Sequence, residues 1–149
     1  MSREEWCIGC KLSNNKLKTY VIYENDYINC ILDHQPFNTG HTLILPKIHY
    51  REVEELDKKT YDEIMKASIL ISKAIKEVYT PDGITICQNG GIFSELNHYH
   101  MHIVPRYQGE SFADFYKEDG EFEEIEEIYF EETIIKLKLA ISKIIYEQN

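Results

Sequence analysis

The sequence is poor in positive charge: 16 lysines and arginines stand against 26 aspartates and glutamates, a formal charge of −10 over 149 residues. That deficit excludes a protein that grips nucleic acid through its backbone phosphates, because such binding draws on clustered cations. Long apolar runs are missing as well. None approaches the roughly 20 residues that span a bilayer. The first residues, Met1-Ser2-Arg3-Glu4-Glu5-Trp6, hold no apolar signal core. Together these absences exclude a membrane-spanning helix and predict a cytoplasmic protein. Internal repeats and low-complexity linkers are also lacking, and the length suits one ordinary domain, residues 1–149, better than two.

Cysteine is scarce and unevenly spread. Cys30 and Cys87 lie within apolar runs and read as small buried hydrophobes, whereas Cys7 and Cys10 form a C-x-x-C pair. In a cytosolic chain such a pair points to metal or redox chemistry rather than a disulfide framework. A thioredoxin-like pair would follow a strand and open a helix. No strand precedes Cys7, so half of a metal site is the better reading.

Period-two apolar patterning predicts strands over Thr19–Tyr23, Tyr27–Leu32, His41–Leu45 and Ile84–Gln88, with a fifth beginning at His98. Between the third and fourth, Ile64, Ala67, Ile71 and Val78 recur at helical spacing behind Asp57, a candidate N-cap. A second helix is predicted over Thr133–Tyr146. The fold class is therefore α+β: a five-stranded, mostly antiparallel sheet with one long helix between strands three and four and a C-terminal helix. Nine acids between Glu118 and Glu132 hold most of the excess charge and read as a solvated loop or helix face.

What stands out against this background is His98-Tyr99-His100-Met101-His102. Alternation along a strand puts the three imidazoles on one face, about 7 Å apart. A solvated face would use Thr, Lys or Glu instead, so the triplet predicts a metal or catalytic site. With Cys7, Cys10, His41 and His49, the chain holds seven ligand-type side chains. A closed tetrahedral site needs two histidines beside the Cys pair. One strand cannot give all three of its histidines to a single ion across about 13 Å, so a division of labour is expected.

His98 to Val104, Gly40 to His49 (Gly-His-Thr-Leu-Ile-Leu-Pro-Lys-Ile-His) and the Cys7/Cys10 pair resemble three blocks of the histidine triad superfamily of nucleotide hydrolases and transferases. The resemblance covers residues 5–107; the acidic segment and final helix, 108–149, lie outside it. It implies structural zinc on Cys7, Cys10, His49 and His98, and His100 as nucleophile, its Nε2 attacking the α-phosphorus of a purine nucleotide while the His98 carbonyl fixes its tautomer. It implies phosphate contacts from His102 and His41, a ribose contact from Asp33, a base pocket including His34, Phe37 and Leu43, and a phosphate contact from Asn89. It further implies a homodimer through the long helix and an edge strand, where Tyr61, Met65 and Ser72 lie off the main apolar stripe.

The resemblance breaks before the triad. Many members carry Gly-Gln there, and this chain has Phe93-Ser94-Glu95. Ser94 is the candidate replacement donor to phosphate, and Glu95 a candidate proton donor to the leaving group. Bland alternatives stand beside these roles: Asp33 as the start of an Asx turn, Asn89 as a turn residue, Glu95 as a solvated acid, Arg106 as a surface cation. Three functions compete: a nucleotidyl-histidine hydrolase, a nucleotide-binding module without turnover, and a metalloenzyme in which His98, His100 and His102 share one ion.

Overall fold

The apolar alternation builds five strands in a computed structural model that describes residues 3–111, 113–114 and 124–149. Two short helices, α1 (Arg3–Trp6) and α2 (Ile8–Ser13), precede β1 (Val21–Glu24), β2 (Ile28–Leu32) and β3 (Thr42–Pro46). The long helix α3 (Lys58–Tyr79) leads to β4 (Gly83–Gln88) and β5 (Met101–Arg106), and α4 (Glu127–Glu147) ends the chain. The strands lie in the order β1-β2-β3-β5-β4, with every pairing antiparallel. This is the α+β architecture that the pattern predicts.

Alternate residues of the central strands feed two different interiors. Ile28, Cys30, Ile44, Met101 and Ile103 face α3 and α4 and pack with Ile64, Ile71, Ile75 and Leu137. Ile31, Leu43 and Leu45 face the other way, onto Leu12 of α2. Both faces of β2 and β3 are thus buried along their whole length. On that second face, β3 and β5 pair Leu43 with His102. Asp57 caps α3 as expected, its Oδ1 accepting from the Thr60 N–H at 2.7 Å.

Four sequence expectations shift. The ladder of β5 begins at Met101, so His98 and His100 lie in the extended lead-in, and His41 likewise precedes β3. The reason is local: the Tyr99 N–H is taken by the Tyr50 carbonyl at 2.7 Å and the His98 carbonyl by a ring nitrogen of His100 at 2.8 Å. The N-terminus forms two short helices that periodicity does not reveal. Finally α4 starts at Glu127, six residues before Thr133, because Phe130 is buried flat against Tyr20, with ring centroids 4.4 Å apart. Of the acidic segment, 118–123 lie outside the described residues; Glu124, Glu126, Glu127, Glu131 and Glu132 are exposed.

Candidate active site and metal centre

Two clusters occupy the second face, one at each end of the lead-in to β5. The first gathers Cys7, Cys10, His49 and His98, whose ligand atoms all lie within 4.8 Å of one another. Cys7 is the N-cap of α2, its sulfur accepting from the Cys10 N–H at 3.4 Å, so one helical turn presents both thiols together. Asn14 donates to the Lys47 carbonyl at 3.0 Å and ties α2 to the turn carrying His49. Gly9 is obligatory here, because a Cβ at that position would lie 2.2 Å from the Cβ of His98.

His98 is fully buried, and its Nε2–H donates to the Pro46 carbonyl at 2.8 Å. That bond leaves Nδ1 with its lone pair, 3.6 Å from the Cys7 sulfur and 3.5 Å from that of Cys10. His49 Nδ1 lies 3.3 Å from the Cys10 sulfur. A tetrahedral ion bonded to sulfur at about 2.3 Å and to nitrogen at about 2.0 Å has sulfur–nitrogen edges of about 3.5 Å. The four donors therefore fit one small tetrahedral cation. Burial holds the His98 imidazole down to about 4, opposed by its bond to Pro46, so the ring is neutral and ready to ligate.

The second cluster is Asp33, His41 and His102, with His100 beside it. The His100 Nδ1–H donates to the His98 carbonyl at 2.8 Å. Since a carbonyl only accepts, the proton sits on Nδ1 and the Nε2 of His100 keeps its lone pair. At His41 the polarity is reversed. Its Nδ1 accepts from the Phe37 N–H at 3.0 Å, so its proton is on Nε2, 2.9 Å from His102 Nδ1 and 3.5 Å from Asp33 Oδ2. His102 must then accept at Nδ1 and carry its own proton on Nε2. Burial drives this pair down, His41 to about 3 and His102 to about 4, with repulsion from neighbouring imidazoles adding to it. Burial also pushes the Asp33 carboxyl up to about 6, with Glu95 reinforcing the rise and the Gln35 N–H opposing it.

Asp33, His41, His100 and His102 thus come together at one end, and His49 and His98 join the Cys pair at the other. A single ion shared by His98, His100 and His102 is not what the chain builds. His98 turns its lone pair to the thiols, and His100 spends Nδ1 on a carbonyl. Leu43 underlies the site within the apolar cluster beside Leu12, Ile31 and Leu45. Asp33 does start an Asx turn, its Oδ1 accepting from the Gln35 N–H at 2.9 Å, and its other oxygen faces His41. His34 leans instead on Tyr20 and Phe130, at 5.9 and 6.5 Å between centroids.

The Phe37 ring lies under the Arg106 guanidinium at 5.3 Å. Arg106 is held further by Glu110 and by the Thr85 hydroxyl, so it is pinned in place rather than a loose surface cation. Asn89 ends β4 beside the turn at Gly91–Phe93, and Glu95 is exposed. The Ser94 hydroxyl is buried without a hydrogen-bond partner among the described residues. A cavity of about 560 Å³ adjoins Asp33, Phe37 and His41 and takes its far wall from Tyr129, Phe130 and Thr133 of α4. Sequence reasoning misses Gly9, whose signal is its place inside the C-x-x-C. It also misses the Pro46 carbonyl and the Phe37 N–H, backbone groups that no residue type announces.

A five-stranded antiparallel sheet whose fifth strand and its lead-in carry three buried histidines, one turned to a thiol pair and one with a presented Nε2, defines a histidine triad protein. The chain belongs to the HIT domain family, whose model matches residues 14–109. It is 33% identical over 137 residues to a HIT-like protein of Methanocaldococcus jannaschii, covering 89% of this chain and 98% of that protein. An adenylylsulfatase of Arabidopsis thaliana is 34% identical over 67% of this chain and 52% of its own length. An adenosine 5'-monophosphoramidase of Saccharomyces cerevisiae is 29% identical over 67% and 62%.

Among solved structures, a histidine triad nucleotide-binding protein of Sulfolobus tokodaii superposes with a TM-score of 0.79, at 31% identity and 93% coverage of each chain. A zinc-bound histidine triad family protein of Mycobacterium smegmatis gives 0.76, at 25% identity, covering 97% of this chain and 99% of that one.

Proposed function

We propose that this chain is a nucleotide hydrolase that cleaves AMP derivatives at the α-phosphate through a nucleotidyl-histidine intermediate. The substrates are dinucleoside polyphosphates or nucleoside phosphoramidates. One observation carries the reading: the 2.8 Å bond from His100 Nδ1–H to the His98 carbonyl, which assigns the lone pair of the neutral tautomer to Nε2 on a buried, rigidly held ring. In the first step Nε2 bonds to the α-phosphorus as the bond to the leaving group breaks, and the leaving group takes a proton from Glu95 or water. In the second, water attacks phosphorus, its proton is lost to solvent or Glu95, and the phosphorus–nitrogen bond breaks.

The His102 Nε2–H is the donor to the phosphate oxygens, where charge gathers in both transition states. His41 works behind it, holding its tautomer. The unpartnered Ser94 hydroxyl replaces the missing Gly-Gln contact, Asn89 borders the phosphates, and Asp33, Phe37 and Leu43 receive the nucleoside. His34 stands at the outer edge of the nucleoside end, against Tyr20 and Phe130. The thiol and imidazole donors suit zinc, held by Cys7, Cys10, His49 and His98. Bound there, zinc supplies rigidity: it anchors His98 and hence the carbonyl that orients the nucleophile.

Exposed Tyr61, Met65 and Ile69 on α3 and Ile86 on edge strand β4 form the face for a homodimer. None of the four cysteines is joined in a disulfide, in keeping with a reducing cytoplasm, and among the described residues no helix is long and apolar enough to cross a membrane.

A His100→Gly variant is expected to lose turnover by on the order of 10³-fold or more while keeping its affinity for AMP. Label from an α-labelled substrate should be trapped on His100 by rapid acid-free quench of the wild type. Equal loss of turnover and affinity, with no trapped label, would assign a binding module instead.

A further inference from the structure

The carboxylate of Asp33 stands where the nucleoside end of the site meets the phosphate end. Its Oδ1 is spent on the Gln35 N–H, which fixes the orientation of the group and leaves Oδ2 3.5 Å from His41 Nε2. The tautomer of His41 gives that nitrogen a single proton, and two acceptors face it: His102 Nδ1 at 2.9 Å and Asp33 Oδ2 at 3.5 Å. One proton cannot serve both at full strength. Whatever the carboxylate draws from it weakens the bond that sets the donor of His102.

We propose that Asp33 is a positioning residue for His102, acting through His41, so that a ribose hydroxyl bound at Asp33 strengthens the donor that His102 presents to the α-phosphate. This rests on the nucleotide reading above for the identity of the ligand, and on geometry alone for the relay. A ribose hydroxyl donating to Asp33 Oδ2 occupies the lone pair that competes for the His41 proton and spreads the charge behind it. The proton then commits to His102 Nδ1. Donation to one nitrogen of an imidazole makes the N–H on the other a stronger donor, as along any hydrogen-bonded chain. Sugar recognition is thereby converted into rate as well as affinity.

Asp33→Asn tests this, because asparagine keeps the Oδ1 acceptor that the Gln35 turn requires and puts in place of the acceptor facing His41 an uncharged amide NH2 that cannot compete for its proton. With adenosine 5'-phosphoramidate and its 2',3'-dideoxy counterpart, the wild type is expected to prefer the ribose form in kcat by about five- to tenfold, the worth of roughly one hydrogen bond. In Asp33→Asn that kcat preference falls to about one, whatever happens to KM. Ring nitrogen-15 spectra supply a readout that a merely structural role would not move. AMP should shift the His41 Nε2 and His102 Nδ1 signals of the wild type, and 2',3'-dideoxy-AMP should shift them less.

If both nucleotides bind, the preference lies wholly in KM and the two ligands give the same nitrogen spectrum, the relay is overturned. If neither nucleotide binds, the nucleotide reading itself has failed. The ligand-free comparison then decides the relay alone: unchanged His41 and His102 signals in Asp33→Asn overturn it, and shifted ones sustain it.

Discussion

The two clusters on the second face each hold a pair of imidazoles, beside two thiols at one end and a carboxylate at the other, and they differ in the direction the imidazole hydrogens point. At one end, the Pro46 carbonyl takes the outer N–H of His98, and a lone pair faces Cys7 and Cys10. At the other, the Phe37 N–H takes the outer lone pair of His41, and an N–H faces His102 and Asp33. Two imidazoles and a carboxylate would suit many metals by composition. An ion there would need the His41 proton moved to Nδ1, against the Phe37 N–H. Backbone polarity thus reinforces residue type, turning a lone pair toward the thiols at one end and an N–H toward the carboxylate at the other.

The largest effect that can break this contrast is loss of the metal centre. A Cys7→Ser, Cys10→Ser double variant should lose the roughly one equivalent of zinc proposed for this site and several kcal/mol of stability, out of the order of 10 kcal/mol that such sites contribute in small domains. Metal analysis and thermal unfolding measure both. Unchanged metal content would mean that the ion resides elsewhere, and the contrast would fall.

Acid comes next, and acts on the other cluster. Unfolded, the rings of His41 and His102 take up protons near 6.5; folded, they wait until about 3 and 4. Below pH 6.5 the unfolded chain therefore binds more protons, and stability falls with pH until the folded rings titrate. Asp33 opposes this, since its folded value of about 6 lies above its unfolded 3.8 and returns stability over that interval. His98, also held to about 4, adds a third ring, and three rings against one carboxyl leave a net loss on the order of 3 kcal/mol per pH unit between 6 and 4. Denaturant titrations at several pH values, with chelator present to take metal out of the comparison, should lose this slope in a His41→Asn, His102→Asn variant.

Gly9→Ala is a smaller perturbation of the metal end. Its Cβ would sit 2.2 Å from that of His98, so backbone must move before the thiols and the ring can converge. Zinc affinity should fall by about 10- to 100-fold, as when a supporting contact of a metal ligand is lost. Competition with a chromogenic chelator reads this directly.

How far these contrasts can be read beforehand depends on where the information sits. The alternation of His98, His100 and His102, the spacing of Cys7 and Cys10, and the helical period of α3 are side-chain patterns, and each leads to the element or site that forms. Residue type even suggests the unequal fates of the three histidines once thiols are counted. Deciding which nitrogen carries each proton requires the Pro46 and His98 carbonyls and the Phe37 N–H, and main-chain groups look the same at every position. The early start of α4 is hidden for a related reason: Phe130 is the single buried side chain in a run of exposed glutamates, and its partner Tyr20 lies far away in sequence.

The most delicate test removes one hydrogen and leaves every side chain in place. Replacing the amide at residue 37 by an ester deletes the N–H that reads His41 Nδ1 and keeps the phenyl ring under Arg106. Stability should drop by only about 1 kcal/mol, the net worth of one hydrogen bond. The consequence for the site is larger than that figure suggests. Without the donor, His41 can carry its proton on Nδ1 and turn a lone pair toward His102 and Asp33, giving the second cluster the polarity of the first. Zinc titration of the ester variant should then reveal a second, weaker equivalent that competes with AMP and that Asp33→Asn abolishes. A wild type that already takes up two equivalents, or an ester variant that still takes one, would show that something other than the Phe37 N–H keeps the two clusters apart.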